Sequence, residues 1–279
     1  MIGAEGIQVV PVRTPTLPPA THTNTYVVGT GSLTVIDPAS PYPEEQDILL
    51  AALDNRHGEH VEQIVLTHHH ADHVGGALAL QKTLRSRGEQ VPVVAHPQTH
   101  QRLQMDWLTH NPWGDGEKRD CGGITLTAWH TPGHAPGHLV FQSGNDNAMI
   151  AGDMVAGIGT ILLEPQDGSL REYLTSLQRM QALKPSVLLP SHGPPITTPE
   201  TLLTMYIAHR HMRTEQIHNT LDTMGIASPL DLAPAVYPDV PPHVHGIAAI
   251  QILSHLIWLQ ERGMVEKLPD ERWRTLQSA

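Results

Sequence analysis

The chain has 279 residues, 39% hydrophobic and 16% charged, and 28 acidic against 17 basic side chains give a formal charge of −11. This is a globular composition, long enough for one large domain or one domain with an appendage. Its charge disfavours a generic polyanion binder, because neutralising phosphates takes a surplus of Lys and Arg.

Residues 25–37 predict two short strands around a glycine turn, stopping at Asp37-Pro38. Residues 61–67 predict a buried strand and residues 73–88 a helix ended by Gly88, with Gly75-Gly76 allowing close approach to the sheet. A strand is expected at 91–96, irregular chain at 97–120, and successive strands at 123–130, 138–143 and 147–153. Ser169 and Glu172 have the spacing of a capping box, opening a helix with Leu170, Leu174, Leu177 and Leu183 on one side and a stop at Lys184-Pro185. After a strand at 186–190, Thr198-Pro199 opens a long helix closed by Gly225.

From about residue 226 the character changes to a Pro-rich stretch, a helix at 244–262 and a small hairpin around Pro269-Asp270. The chain thus divides into 1–225 and a small winged-helix-like unit at 226–279. Such a unit often binds DNA. Its low positive charge favours packing or oligomerisation instead. The one cysteine, Cys121, excludes an internal disulfide and a Cys-rich structural zinc site, and reads as a small apolar residue. The first residues lack the basic start and apolar run of a signal peptide. The longest apolar stretch, 246–260, is interrupted by Gln251, Ser254 and His255, too short and polar for a bilayer. A soluble, cytoplasmic protein is expected.

Histidine is the anomaly, because its 20 residues outnumber Lys and Arg together. His68-His69-His70-Ala71-Asp72-His73 lies between a strand and a helix. In an extended turn His68 and His70 face the same way and His69 points away, while Asp72 and His73 face a neighbouring point from the helix start. Thr131-Pro132-Gly133-His134, Ala151-Gly152-Asp153 and Pro190-Ser191-His192-Gly193 each put one imidazole or carboxylate at a predicted strand end. Open α/β sheets place functional groups there.

This H-x-H-x-D-H string, followed in order by His134, Asp153 and His192, resembles the metallo-β-lactamase superfamily. Asn24-Thr25-Tyr26, the run Leu188 to Ile196 and the helix Tyr206 to Arg213 resemble its beta-lactamase-like protein 2 subgroup, with Ser191 standing where a glycine is usual. The resemblance implies an α/β fold, an αββα sandwich of two mixed sheets with helices outside and metals at one edge. It implies that His68, His70 and His134 hold one metal, that Asp72, His73 and His192 hold a second, and that Asp153 bridges them. The N/O donor set suits two Zn2+, with Mn2+ or Fe as alternatives.

The implied chemistry is hydrolysis by a hydroxide shared between the metals, with Asp72 helping to orient it and no covalent intermediate. Asp37 would orient a ligand histidine from behind. His138 contacts substrate, supports a ligand, or is structural. His209, Arg210 and Arg213 either meet a phosphate or carboxylate or form a solvated helix face. Trp107 and Trp113 either line a pocket or pack internally.

Subgroup relatives include an endoribonuclease acting on single-stranded RNA and resemble thioesterases that release polyketide chains; glyoxalase II shares the seven ligands. Only four Lys and one Phe weigh against holding an RNA strand. A small-molecule acyl ester or thioester is therefore expected ahead of a short single-stranded RNA, and a metal-dependent DNA-binding regulatory module is a third reading. No membrane partner is expected, and a homodimer is left open.

Overall fold

The computed structural model describes residues 4–109 and 111–276. Its first sheet places β1 (Ile7–Arg13), β2 (His22–Val28), β3 (Ser32–Ile36), β4 (His60–Val65) and β5 (Val93–Val94) side by side in chain order. The pairs β1–β2 and β2–β3 are antiparallel, while β3–β4 and β4–β5 are parallel. Parallel neighbours need a crossover. The helix α1 (Pro43–Asp54) supplies the first, and the short α2 (Ala71–Val74) with α3 (Ala77–Ser86) lies in the second.

Another five-stranded sheet follows, made of β6 (Lys118–Cys121), β7 (Ile124–His130), β8 (Leu139–Ser143), β9 (Met149–Gly152) and β10 (Leu188–Pro190). Here β10 pairs parallel to β9 after a crossover through α5 (Leu170–Ala182).

Adjacent apolar residues along the strands enter different cores, which is the period-two signature of sheets covered on both faces. Val28, Ile36 and Val65 meet Leu139, Phe141, Ile150 and Leu189 between the sheets. Their chain neighbours Val27, Val35 and Ile64 instead meet Leu49 and Leu53 of α1 and Leu80 and Leu84 of α3. On the other side Val140, Met149 and Leu188 meet Leu170, Leu174 and Leu177 of α5 and Leu203 of α6 (Pro199–Met224). The layers are therefore αββα.

A fourth core ties the end of α6, through Ile217 and Leu221, to α7 (Pro229–Val236), α8 (His245–Glu261), β11 (Val265–Lys267) and β12 (Trp273–Thr275). Helix α6 thus belongs to both cores. No helix among the described residues is long and apolar enough to cross a membrane.

The region expected to be irregular contains α4 (Pro97–Leu103) as well as β6. Only Thr99 of α4 is buried, and β6 is a polar edge strand reading KRDC, so neither shows a periodic apolar signal. The expected strand at 91–96 shrinks to the two residues of β5. The Pro-rich stretch holds α7, with Pro229 in its first turn and Pro234 inside it. Ser228 and Asp231 form a reciprocal capping box there, and Leu232, Ala233 and Val236 bury the helix. Ser169 Oγ does accept from the Glu172 amide at the start of α5.

Candidate metal centre

Strand β3 ends just before Asp37, which adopts φ +50, a conformation that Asp tolerates better than most residues. Its carboxylate accepts from the Thr67 amide through Oδ1 at 2.7 Å and from the Thr67 hydroxyl through Oδ2 at 2.6 Å. This clamps the loop leaving β4. Glycine 76 lets the following helix sit on the sheet end, since a Cβ there would lie 2.5 Å from the Pro38 carbonyl oxygen.

All seven expected ligands converge at this edge. His70 Nδ1 lies 3.0 Å from His68 Nε2 and 2.9 Å from His134 Nε2. Asp72, His73 and His192 form a neighbouring group, with His192 Nε2 at 3.5 Å and His73 Nε2 at 3.9 Å from the Asp72 carboxylate. Asp153 stands between the groups, 3.6 Å from His134, 3.5 Å from His73 and 3.4 Å from His192.

The proton positions follow from what lies behind each ring. Thr67 Oγ1 donates to Asp37, so it accepts from His68 Nδ1 at 3.0 Å. His70 Nε2 donates to Asp167 Oδ2 at 2.8 Å, His134 Nδ1 to the Leu162 carbonyl at 3.0 Å, and His192 Nδ1 to the His22 carbonyl at 2.9 Å. His73 Nδ1 meets Asp37 Oδ2 at 2.9 Å. With its far nitrogen protonated, each of His68, His70 and His134 turns a lone pair toward the same point. Burial and the neighbouring imidazoles push His68 well below its ordinary range, and burial above all brings His134 down to about 4. Three converging lone pairs on neutral rings fit a cation.

The second group agrees. His73 Nε2 and Asp153 Oδ1 are buried without a hydrogen bond. Unpaired groups of this kind cost about 1–3 kcal/mol each, and coordination removes the cost. Burial alone would push His73 down, yet Asp153 and Asp72 outweigh it and hold the ring well above its ordinary range. A field that keeps a proton there favours a cation.

His138 is brought to the site but not into its interior. Its Nε2 accepts from the Asp153 amide at 3.0 Å, and its Nδ1 is 3.0 Å from Thr131 Oγ1. It supports the Asp153 backbone. His69 lies beside His70, ring centroids 4.8 Å apart, with Nε2 3.1 Å from the same Asp167 carboxylate.

Asp167 gave no sequence signal, being a lone carboxylate in a Gln-Asp-Gly turn. It holds both His69 and His70 and also pairs with Arg102 at 3.3 Å. Burial would raise its carboxyl, but the two imidazoles keep it well below the usual range. Gly168 packs this turn onto the His134 turn, as a Cβ would lie 2.6 Å from the Gly133 carbonyl.

The two arginines of the basic cluster on α6 are engaged rather than solvated, whereas His209 is exposed. Arg210 is buried, donates to Gln251 at 3.0 Å and to the Ile161 carbonyl at 2.7 Å, and stacks on Tyr173. Arg213 bonds Gln216 and the Val236 carbonyl and stacks on Tyr237. Both line, with His209, a cavity of about 740 Å³ that also reaches His70, Asp72, His134, Asp153 and His192. Trp113 does not line it: that ring is fully buried against Phe141, while Trp107 packs beside the outer core of the first sheet.

An αββα sandwich carrying this donor set at one sheet edge defines a metal-dependent hydrolase. A metallo-beta-lactamase superfamily profile matches residues 18–192, and a beta-lactamase-associated winged helix profile matches residues 228–273. The chain belongs to the metallo-beta-lactamase superfamily.

The lactamase-like protein vrtG of Penicillium aethiopicum is 33% identical over 85% of this chain and 75% of its own length. A beta-lactamase-like protein 2 homolog of Caenorhabditis elegans is 30% identical over 88% of this chain and 80% of its own. An atrochrysone carboxyl ACP thioesterase of Aspergillus fumigatus is 28% identical over 80% of this chain and 70% of its own. Among solved structures, a beta-lactamase domain protein from Burkholderia ambifaria shares the fold over 98% of this chain and 92% of its own, with TM-score 0.86 and 21% identity. The di-iron-bound protein TTHA1623 matches 68% of this chain and 97% of its own at 28% identity and TM-score 0.52.

Proposed function

We propose that this enzyme hydrolyses an acyl ester or thioester with two divalent metal ions, zinc in the first instance. His68, His70 and His134 would hold one ion and Asp72, His73 and His192 the other, with the Asp153 carboxylate standing between the two groups of residues. The observation that carries the reading is the cavity of about 740 Å³ above these residues, walled by Leu17, Ile158, Ile161, Val240, Val244 and Ile247. Its size suits a small molecule, and its walls suit an acyl body. The thioesterase relative supports the same substrate class.

When bound, two such ions supply Lewis acidity, lowering the pKa of water to about 7 and stabilising negative charge on a carbonyl oxygen. The chain's own residues do the rest. Among the described residues the cavity lining includes no serine or cysteine, which supports water as the nucleophile. Asp72, with 18% of its side chain exposed against 10% for Asp153, accepts a hydrogen bond from that water and orients it toward the substrate carbonyl. His138 and Thr131 keep the Asp153 backbone in place from behind. The apolar walls exclude bulk water from the acyl body.

RNA ranks second. Arg210 is already engaged, and the Tyr237 ring is covered by Arg213, so the cavity offers little for stacking bases or tracking phosphates. A DNA-reading role for the winged helix domain ranks third, because Gln251 and Ser254 of α8 bond the Ile161 and Leu163 carbonyls of the catalytic domain. Iron is the alternative metal, given the di-iron neighbour.

The test is a panel of acyl thioesters, esters and labelled single-stranded RNA given to metal-loaded protein beside Asp153→Ala. Thioester or ester cleavage lost in the variant is expected. RNA turnover far above that of any ester would reverse the order. DNA binding that survives Asp72→Ala, with no hydrolysis by the parent, would favour the regulatory module.

A further inference from the structure

The charged residues lining the cavity outside the metal centre come from two different segments of the chain. Its carboxylate outside the metal centre, Glu164, belongs to the His134 side, because the Glu164 carbonyl accepts from Asp167 and from Gly168, which packs on the His134 turn. Its cationic lining comes from one face of α6, at His209, Arg210 and Arg213. The two sides are joined by one dipeptide: Ile161 O accepts from Arg210, and the next carbonyl, Leu162 O, accepts from His134. Arg210 is thus a strut fixing α6 at a set distance from the metal centre, and its charge is consumed in that task.

Arg213 differs. Its Nη1 is bound by Gln216 and the Val236 carbonyl, and its Nε is buried without a partner. Among the described residues its Nη2 makes no hydrogen bond and is not enclosed, although the side chain lines the cavity. Tyr237 holds the guanidinium flat from one side at 4.5 Å. His209 lies four residues earlier, on the same helix face. An arginine fixed at one nitrogen and on one face, with another nitrogen left open, is arranged to meet an oxyanion.

We propose that Arg213, assisted by His209, forms an anion subsite on the side of the cavity where it meets Val236 and Tyr237. The substrate is then an acyl ester or thioester carrying a carboxylate or phosphate remote from its scissile carbonyl. This rests on the acyl-hydrolase reading above and narrows its substrate class. Burial, with Arg210 and Arg213 adding to it, pushes His209 below its ordinary range, so at neutral pH the charge is carried by Arg213.

The test compares matched pairs: hexanoyl thioesters of 4′-phosphopantetheine and of pantetheine, then glutaryl and pentanoyl thioesters of pantetheine. The first pair places the anion on the thiol arm and the second on the acyl chain. Arg213→Gln is expected to raise KM about 10–100-fold for the preferred anionic member, the range for a hydrogen bond to a charged group. Any change for its neutral twin is much smaller, so the KM ratio between the paired substrates is what shifts. Arg213→Lys recovers part of the loss, and the exposed His209→Gln raises KM by about 2–10-fold. Equal losses for charged and neutral members, or no preference for either anion by the unmodified protein, would overturn the subsite.

Calorimetry with uncleavable thioether analogues of the same four compounds separates this from failure of the acyl-hydrolase reading. Binding of an anionic thioether that is lost in Arg213→Gln upholds the subsite even where no thioester is cleaved. Equal binding of charged and neutral thioethers removes it even where thioesters are cleaved.

Discussion

Asp37 and His73 lie 36 residues apart in the chain and meet at 2.9 Å, both buried. The same carboxylate holds the Thr67 amide and hydroxyl, and the Thr67 hydroxyl in turn holds His68. One side chain therefore sets the proton position on a histidine of each metal group. Asp37→Asn keeps the acceptor for the Thr67 amide but puts an NH2 donor opposite both His73 and the Thr67 hydroxyl, which share Oδ2. The expected outcome is a 10–100-fold loss of metal affinity, about the range for altered partners behind a ligand, with the fold retained. Competition titration against a chromophoric chelator measures it.

Asp167 plays the matching part for His70, the most exposed of the ligand imidazoles with 30% of its side chain accessible. Asp167→Ala frees His70 to change tautomer, and metal affinity should fall by about 10–100-fold. His69→Ala removes a second contact to the same oxygen without touching a ligand, so a smaller loss is expected. Ring nitrogen chemical shifts in the metal-free protein would show the altered His70 tautomer in Asp167→Ala and the ordinary one in His69→Ala.

The seven expected ligands were legible because four segments each placed theirs beside a strand end, and Asp37 was legible from its strand stop. Asp167 was not, because its turn is defined only by how it folds back onto the His134 loop. Helix α7 was hidden by its prolines, which punctuate a sequence far more loudly than one capping box can answer. The role of α6 was hidden as well. Its basic residues look solvated along the helix, and only the approach of α8 and the Ile161–Leu162 strip shows that Arg210 is buried. Most strands, by contrast, could be read from continuous apolar runs, since both faces of each sheet are covered, whereas β1 and the polar edge strand β6 were not read.

Gly152 precedes Asp153 at φ +51, and a Cβ there would lie 2.4 Å from His138 Nε2. Gly152→Ala must therefore displace the ring that accepts from the Asp153 amide. The expected result is a destabilisation of more than about 1 kcal/mol together with reduced metal content. Urea denaturation and metal analysis read the two effects. A variant with unchanged stability and full metal content would show that the contact is absorbed elsewhere.

His255 predicts an acid-sensitive join between the two domains. The ring is fully buried on α8, and Thr214 Oγ1 donates to the Arg210 carbonyl, so it accepts from His255 Nδ1 at 2.7 Å. Burial first, then Arg210, His209 and Arg213, bring this histidine down to about 3. Its folded pKa is thus below its unfolded one, and between about pH 6.5 and 3 the unfolded chain binds the extra proton. Stability from this group is complete above pH 6.5 and is lost as pH falls through that window. At pH 5.5 the loss should be about 1.4 kcal/mol relative to pH 7.5. His255→Asn keeps a donor for Thr214 and cannot titrate, so it should lower stability at pH 7.5 but flatten this part of the slope. Denaturant unfolding of metal-loaded protein at both pH values measures it, and a variant slope equal to that of the parent would assign the acid sensitivity to other histidines.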